Sequence, residues 1–130
     1  MLPVTALYAG VLAFGFLWLS VRVIKARRVY RVALGTGQHR LVERAVRAHG
    51  NFAEYVPLAL LVLALLEINR LPDWGLHALG TALLAGRALH AAGISREPEV
   101  LRFRVTGMSL TFAVLGIGAA ALLGLALAGL

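Results

Sequence analysis

Long apolar stretches separated by short polar connections dominate the pattern of the chain. About 20 apolar residues are needed to cross the hydrocarbon core of a bilayer as an α-helix. The polar connections contain helix-interrupting residues: Gly35-Thr36-Gly37, Pro72-Asp73, and Gly93 with Pro98. The pattern therefore predicts one all-α domain over residues 1–130, an integral membrane four-helix bundle with spans at about 2–23, 45–67, 74–92 and 105–130.

The composition supports a membrane protein and excludes several kinds of site. Hydrophobic residues make up 60% of the chain, against roughly 45–50% in soluble domains, and a soluble chain of this length has too little interior to bury them. The chain contains no cysteine, so disulfides, thiolate catalysis and cysteine-based zinc sites are excluded. The histidines show no ligand spacing, and we expect no metal site.

The positive charges predict the orientation in the membrane. The net charge is +7, and the cations lie in or beside the first and third connections, with only Arg70 in the second. By the positive-inside rule, these two connections are cytoplasmic and both termini lie on the other side. The basic residues of these connections are expected to contact anionic membrane lipid. No soluble basic domain remains that could bind nucleic acid. The preference for arginine over lysine, with abundant Ala, Leu and Gly, suggests a bacterial inner membrane.

Small residues at four-residue spacing predict where helices approach each other closely. In lipid, helices associate through close packing rather than through the hydrophobic effect, so such rows favour contact. Two rows occur, one in the third span and one in the fourth: Ala78, Ala82 and Gly86, and Gly116, Ala120, Gly124 and Ala128.

A polar row crosses the first half of the second span. Arg47, Asn51, Glu54 and Tyr55 follow at i, i+4, i+7 and i+8 and share one face of a helix. Each ionised group at the bilayer centre costs about 2.5–3.5 kcal/mol, so the row should face the bundle interior or a neighbouring subunit. Two interpretations remain open. The row is a polar clamp, with Arg47 and Glu54 partly neutralising each other through Asn51, or a site that binds an anion through guanidinium groups.

The stretch from Glu43 to Pro57, ERAVRAHGNFAEYVP, resembles the signature of the MAPEG superfamily, the membrane-associated proteins in eicosanoid and glutathione metabolism. That superfamily includes microsomal glutathione transferases and leukotriene C4 synthase. The resemblance implies a homotrimer of four-helix protomers, with glutathione bound between neighbouring subunits near the cytoplasmic surface. The third-helix stretch 86–93 looks more like the little-characterised bacterial branch.

The resemblance also implies roles for individual residues. Arg44 and Glu43 belong to the same motif. Ile94 falls where the eicosanoid enzymes tend to have a tyrosine, and it cannot donate a hydrogen bond. For His90, the alternative to cofactor binding is a capping or packing role near the end of a helix. The implied glutathione-binding residues are Arg47, Asn51, Glu54, Tyr55, Arg87 and His90, and the thiolate-stabilising arginine corresponds to Arg102 or Arg104.

The implied function is a glutathione-dependent transferase or peroxidase that uses glutathione as co-substrate and acts on lipophilic electrophiles. A thiol with a pKa of about 8.5 is only partly ionised at neutral pH, and an adjacent guanidinium lowers that pKa by favouring the thiolate. Two alternatives remain. One is a non-catalytic protein of the same fold that binds glutathione, lipid or a protein partner, and the other is a small transporter or channel subunit.

Overall fold

Four long helices form the chain in the computed structural model, which describes residues 1–129. They are α1 (Pro3–Tyr30), α2 (Arg40–Ile68), α3 (Asp73–Ile94) and α4 (Leu101–Ala128). No strand occurs among the described residues, so the predicted all-α four-helix bundle is confirmed. Both α1 and α2 extend beyond the predicted spans at their shared connection, because arginine is a good helix former outside the hydrocarbon core.

The connections lie close to the predicted interruptions, with one exception. Gly35 and Gly37 have φ values of 70° and 56°, in the left-handed region that glycine adopts without steric cost. Pro72 immediately precedes α3. The prediction for Gly93 was wrong, because it lies inside α3. A Cβ at Gly93 would lie 2.5 Å from the backbone nitrogen of Arg104, so this glycine permits helix contact rather than a break.

The helices run up and down in sequence, which places the first and third connections at one end of the bundle and the second connection at the other. At one end, the connections after α1 and α3 meet, and the Arg40 Nε lies 3.0 Å from the Glu97 carboxylate. We call this the basic end. At the opposite end, the Glu67 carboxylate near the end of α2 accepts hydrogen bonds from the backbone N–H groups of Val4 (2.9 Å) and Thr5 (2.7 Å). It thereby satisfies two of the free donors in the first turn of α1.

Close packing between α3 and α4 depends on glycines that face each other. A Cβ at Gly86 would lie 2.9 Å from the Gly107 carbonyl oxygen, and a Cβ at Gly107 would lie 2.5 Å from that of Gly86. The row that ends at Gly86 therefore does reach a neighbouring helix. The predicted row on α4 does not, because a Cβ at Gly116 or Gly124 would meet nothing within 4 Å. That row faces outward from the chain.

The outer surface of the bundle is the surface of an integral membrane protein. Helices α1, α2 and α4 are each long and apolar enough to cross a bilayer, and many large apolar side chains point outward, among them Phe14, Phe112 and Leu123. Helix α3 has 22 residues, about 33 Å at 1.5 Å per residue, which matches the hydrocarbon thickness. Arg87 and His90 make α3 less apolar. Both side chains are buried, at 3% exposure, so neither the Arg87 guanidinium nor the His90 imidazole faces lipid.

Candidate functional site

A cleft of about 350 Å³ opens at the basic end of the bundle. It lies where the start of α2 faces the end of α3 and the start of α4. Four arginines and two glutamates contribute to its wall, so its net charge is positive and it favours an anion. The lining residues are Arg40, Glu43, Arg44, Arg47, Ile94, Glu99 and Arg104.

Glu99, in the connection between α3 and α4, pairs with two of the cleft arginines. Its carboxylate lies 3.1 Å from Arg104 Nη1 and 3.7 Å from Arg44 Nη1. Arg44 also donates to the Ile94 carbonyl at 3.3 Å, while its Nε is buried without a hydrogen-bond partner. Arg47 forms no ion pair with any residue from 1 to 129. The cleft therefore combines one unpaired guanidinium with two that share an internal carboxylate.

A second arginine lies deeper in the bundle. The Arg87 guanidinium donates to Asn51 Oδ1 at 2.6 Å, to Thr111 Oγ1 at 3.0 Å and to Met108 Sδ at 3.3 Å. The Tyr55 ring lies 5.9 Å from the Arg87 guanidinium carbon, a cation–π distance. We call these five residues the Arg87 network. All partners of Arg87 are neutral, so within residues 1–129 no carboxylate compensates its charge.

His90 is the second buried polar residue of α3 near the basic end, at 3% exposure. It follows Arg87 by three residues on α3, and its backbone nitrogen would be 2.5 Å from a Cβ at Gly107. The close α3–α4 contact therefore buries a polar ring one helical turn from the buried Arg87.

The structure brings together six of the eight residues that the sequence indicated. Two others, Glu54 and Arg102, are exposed and lie outside the cleft, and the Arg102 guanidinium instead lies 5.5 Å above the Phe103 ring. The cleft contains Arg47 and Arg104, and the deeper group contains Asn51, Tyr55, Arg87 and His90.

The predicted neutralisation of Arg47 by Glu54 through Asn51 was wrong. Asn51 accepts its hydrogen bond from Arg87, and no ion pair joins Arg47 to Glu54 in residues 1–129. A helix advances about 100° per residue, so Glu54 is displaced about 60° from Asn51 and about 100° from Tyr55. It therefore lies at the flank of the row, and Asn51 faces α3.

Three residues of these groups were not predicted from the sequence: Glu99, Thr111 and Met108. Glu99 lies in a connection, where no helical periodicity predicts the direction of a side chain. Thr111 follows Gly107 by four residues, and this spacing of two small residues marks the face of α4 that meets α3. Among residues 1–129, no three His, Asp or Glu side chains lie together as a metal site requires.

Comparisons with known proteins match nearly the whole chain. The model of a family described as the MAPEG family matches residues 5–124. The inner membrane protein YecN of Escherichia coli K12 is 38% identical over 112 residues, which cover 86% of this chain and 84% of YecN. The protein of the same name from Escherichia coli O6:H1 matches equally. The family match extends over all four helices and includes the residues of the cleft and of the Arg87 network.

Proposed function

The chain belongs to the MAPEG family, and on that premise we propose that it is a membrane-bound glutathione-dependent transferase. It conjugates the glutathione thiolate to lipophilic electrophiles that arrive from the bilayer. The observation that carries the proposal is the cleft at the basic end, where four arginines and two glutamates surround about 350 Å³.

The charges of the cleft complement those of glutathione. Glutathione has two carboxylates, one ammonium group and one thiol. Guanidinium groups bind carboxylates with two parallel hydrogen bonds, and Arg47 and Arg44 lie in the cleft to do so. Glu43 is the exposed acid of the cleft without an ion-pair partner among residues 1–129, and we assign it to the ammonium group.

Arg104 is the arginine that we assign to the thiolate. It belongs to the first turns of α4 and lines the cleft, whereas Arg102 is exposed elsewhere. A guanidinium beside the sulfur favours the ionised thiol. The thiol proton leaves to solvent, the sulfur forms a bond to the electrophilic carbon, and the leaving group departs. No metal and no protein nucleophile takes part.

The proposal includes a homotrimer, which the family resemblance implies, and the exposure of Glu54 in the middle of a membrane helix supports contact with a neighbouring subunit. A carboxylate that faces lipid near the bilayer centre costs about 2.5–3.5 kcal/mol. A neighbouring subunit that covers Glu54 removes this cost and brings Glu54 towards a shared site. The molecular mass of the detergent-solubilised protein tests this step, and a monomer or dimer would contradict it.

We further propose that the protein resides in a bacterial inner membrane with the basic end in the cytoplasm. YecN is named as an inner membrane protein, and the positive-inside rule supplies the orientation. Because the chain has no cysteine, Thr36→Cys and Asn69→Cys each introduce one thiol. An impermeant thiol reagent added to intact cells should label the Asn69→Cys protein alone. Labelling of the Thr36→Cys protein would show the opposite orientation.

A non-catalytic glutathione-binding protein is the second candidate, and one specific contact favours it. Glu99 lies 3.1 Å from Arg104, so the guanidinium assigned to the thiolate already has an anionic partner. If Glu99 stays in place when glutathione binds, the thiol receives less stabilisation and binding proceeds without conjugation.

The experiment combines binding and turnover on the same samples. Calorimetry measures glutathione binding to the detergent-purified protein, and absorbance measures conjugation of glutathione to a chlorodinitrobenzene. Arg47→Ala should weaken binding roughly two- to fivefold, because a partly solvated ion pair contributes up to about 1 kcal/mol. Arg28→Ala, an exposed arginine of α1 outside the cleft, is the matched control and should bind as the wild type does.

The outcomes separate the two candidates. Binding with turnover supports the transferase. Binding without turnover supports the non-catalytic protein. If the folded wild-type protein does not bind glutathione, both candidates fail.

A further inference from the structure

An apolar groove runs along the outside of the bundle between α1 and α3. Its volume is about 360 Å³, and its walls are nearly free of polar groups. Small residues leave the space between bulkier ones: Gly15 lies on α1, and Ala88 and Ala91 lie on α3. Trp18 and Leu84 border the groove on either side.

The groove is accessible from lipid. Helix α1 is long and apolar enough to cross the membrane, and the Trp18 and Val11 side chains that border the groove are exposed. An occupant within the hydrocarbon region must satisfy its own polar groups or have none. An alkyl chain meets that requirement.

One cation is fixed beside the groove towards the basic end. The guanidinium carbon of Arg22 lies 4.9 Å from the centre of the Trp18 ring, and Arg22 Nη1 donates to Ser95 Oγ at 2.7 Å. Ser95 is the residue that follows α3, so Arg22 bridges the two helices that form the groove. Both contacts are to neutral groups, and no carboxylate among residues 1–129 pairs with Arg22.

Arg87 also contributes to the wall of the groove, but its charge points elsewhere. Its guanidinium donates to Asn51 on α2 and to Thr111 on α4, so it is already engaged by partners on helices other than α1. Arg22 is therefore the cation that can receive the head group of an occupant.

We propose that this groove binds a single-chain fatty acid, with its alkyl chain between α1 and α3 and its carboxylate on Arg22. Val11 and Arg22 are eleven positions apart on α1, about 16 Å at 1.5 Å per residue, which suits an extended alkyl chain. The guanidinium group suits a carboxylate through paired hydrogen bonds. A phospholipid is disfavoured because its second chain has no place in a single groove. The site is separate from the glutathione cleft and does not depend on it.

Trp18 provides a direct test, because the chain has only two tryptophans. In the Trp74→Phe protein, Trp18 is the single tryptophan, and Trp74 lies at the opposite end of the bundle in the first turn of α3. The protein is reconstituted into phosphatidylcholine vesicles at mildly alkaline pH, and dibromostearic acid is added as a fluorescence quencher. Quenching of Trp18 should saturate with increasing mole fraction of the acid. The methyl ester of the same acid, which has no charge for Arg22, should quench only in proportion to its mole fraction.

Two variants locate the occupant. Arg22→Gln should weaken the saturable quenching about tenfold, the loss expected for a hydrogen bond to a charged group, and Arg28→Gln should leave it unchanged. Gly15→Leu should abolish it by filling the groove. A Cβ at Gly15 meets only the Phe52 ring, at 3.6 Å, so this variant should keep the wild-type helix content, as measured by circular dichroism.

Three results would overturn the proposal. Equal, non-saturating quenching by the acid and its ester would show a bare lipid-facing surface. Protection of Trp18 from both quenchers would show that a second copy of the chain or another protein covers the groove. Saturable quenching by brominated phosphatidylglycerol but not by the acid would assign the groove to a phospholipid.

Discussion

In the cleft at the basic end, Arg44 and Arg104 share the carboxylate of Glu99, whereas Arg87 is held inside the bundle by neutral groups alone. The cleft pairs are partly exposed, with 44% of the Arg104 side chain accessible, and such pairs contribute little stability. A ligand carboxylate can therefore replace Glu99 at small cost. Arg87 is 3% exposed. Burial has removed its hydration, and the hydrogen bonds that replace the water come from neutral groups, so its charge is uncompensated.

The difference assigns a separate physical role to each group. Exchangeable ion pairs suit the binding and release of a charged ligand. A buried guanidinium with neutral partners has a fixed position and attracts negative charge towards the bundle interior. The close α3–α4 contact at Gly86 and Gly107 holds Arg87 beside Thr111, so the two groups should also respond differently to substitution.

The largest effect is expected for Gly107→Ala, which acts on the contact that positions the Arg87 network. The added Cβ would lie 2.5 Å from the Gly86 carbonyl oxygen and from the His90 backbone nitrogen, so the helix backbones must separate. We expect a loss of about 3 kcal/mol in the free energy of unfolding, at the upper end of overpacking costs. Thermal unfolding in detergent, followed by circular dichroism, measures it. Gly116→Ala, where a Cβ meets nothing within 4 Å, should not destabilise the protein, and equal losses in both variants would refute the packing argument.

A smaller effect is expected for Arg87→Met, which removes the buried charge and keeps most of the volume. Replacing a buried ionic group by an apolar one of similar size is often close to neutral. Thr111 keeps its hydrogen bond to the Gly107 carbonyl, while Asn51 loses one partner, so we expect a loss of about 1 kcal/mol. Arg87→Ala should cost about 2 kcal/mol, because it also leaves a cavity. If chemical denaturation shows equal losses for Met and Ala, the hydrogen bonds of Arg87 rather than its volume hold the bundle together.

The smallest effect on stability is expected for Glu99→Gln, which removes the internal carboxylate from the cleft. The melting temperature should stay close to that of the wild type, because the pairs are solvated. Glutathione affinity measured by calorimetry should instead rise severalfold, and the gain should shrink in high salt as the charges are screened. Glu97→Gln, which breaks only the exposed pair with Arg40, serves as the control. Unchanged affinity in Glu99→Gln would show that Glu99 does not compete with the ligand.

Much of the candidate site could be predicted from the signature on α2. The i, i+4, i+8 spacing of Arg47, Asn51 and Tyr55 indicates a common helix face, and the structure directs these residues towards the cleft and the Arg87 network. The partner of Asn51 could not be predicted in the same way. Arg47 and Arg87 both offer a guanidinium, and only the rotation of α2 against α3 selects Arg87.

The sequence by itself determined the number of helices and the membrane class, because hydrophobic length is a local property that lipid imposes on each segment. It also placed all the lysine and arginine residues except Arg70 in or beside two of the three connections. Tertiary structure alone decided which glycines meet. From Phe112 onward helix α4 is apolar on all sides, so no polar face orients it there, and Gly107 rather than Gly116 faces a neighbour. The pairing of Glu99 with Arg44 and Arg104 was likewise decided by tertiary structure, since a side chain in an irregular connection takes its direction from the helices that the connection joins.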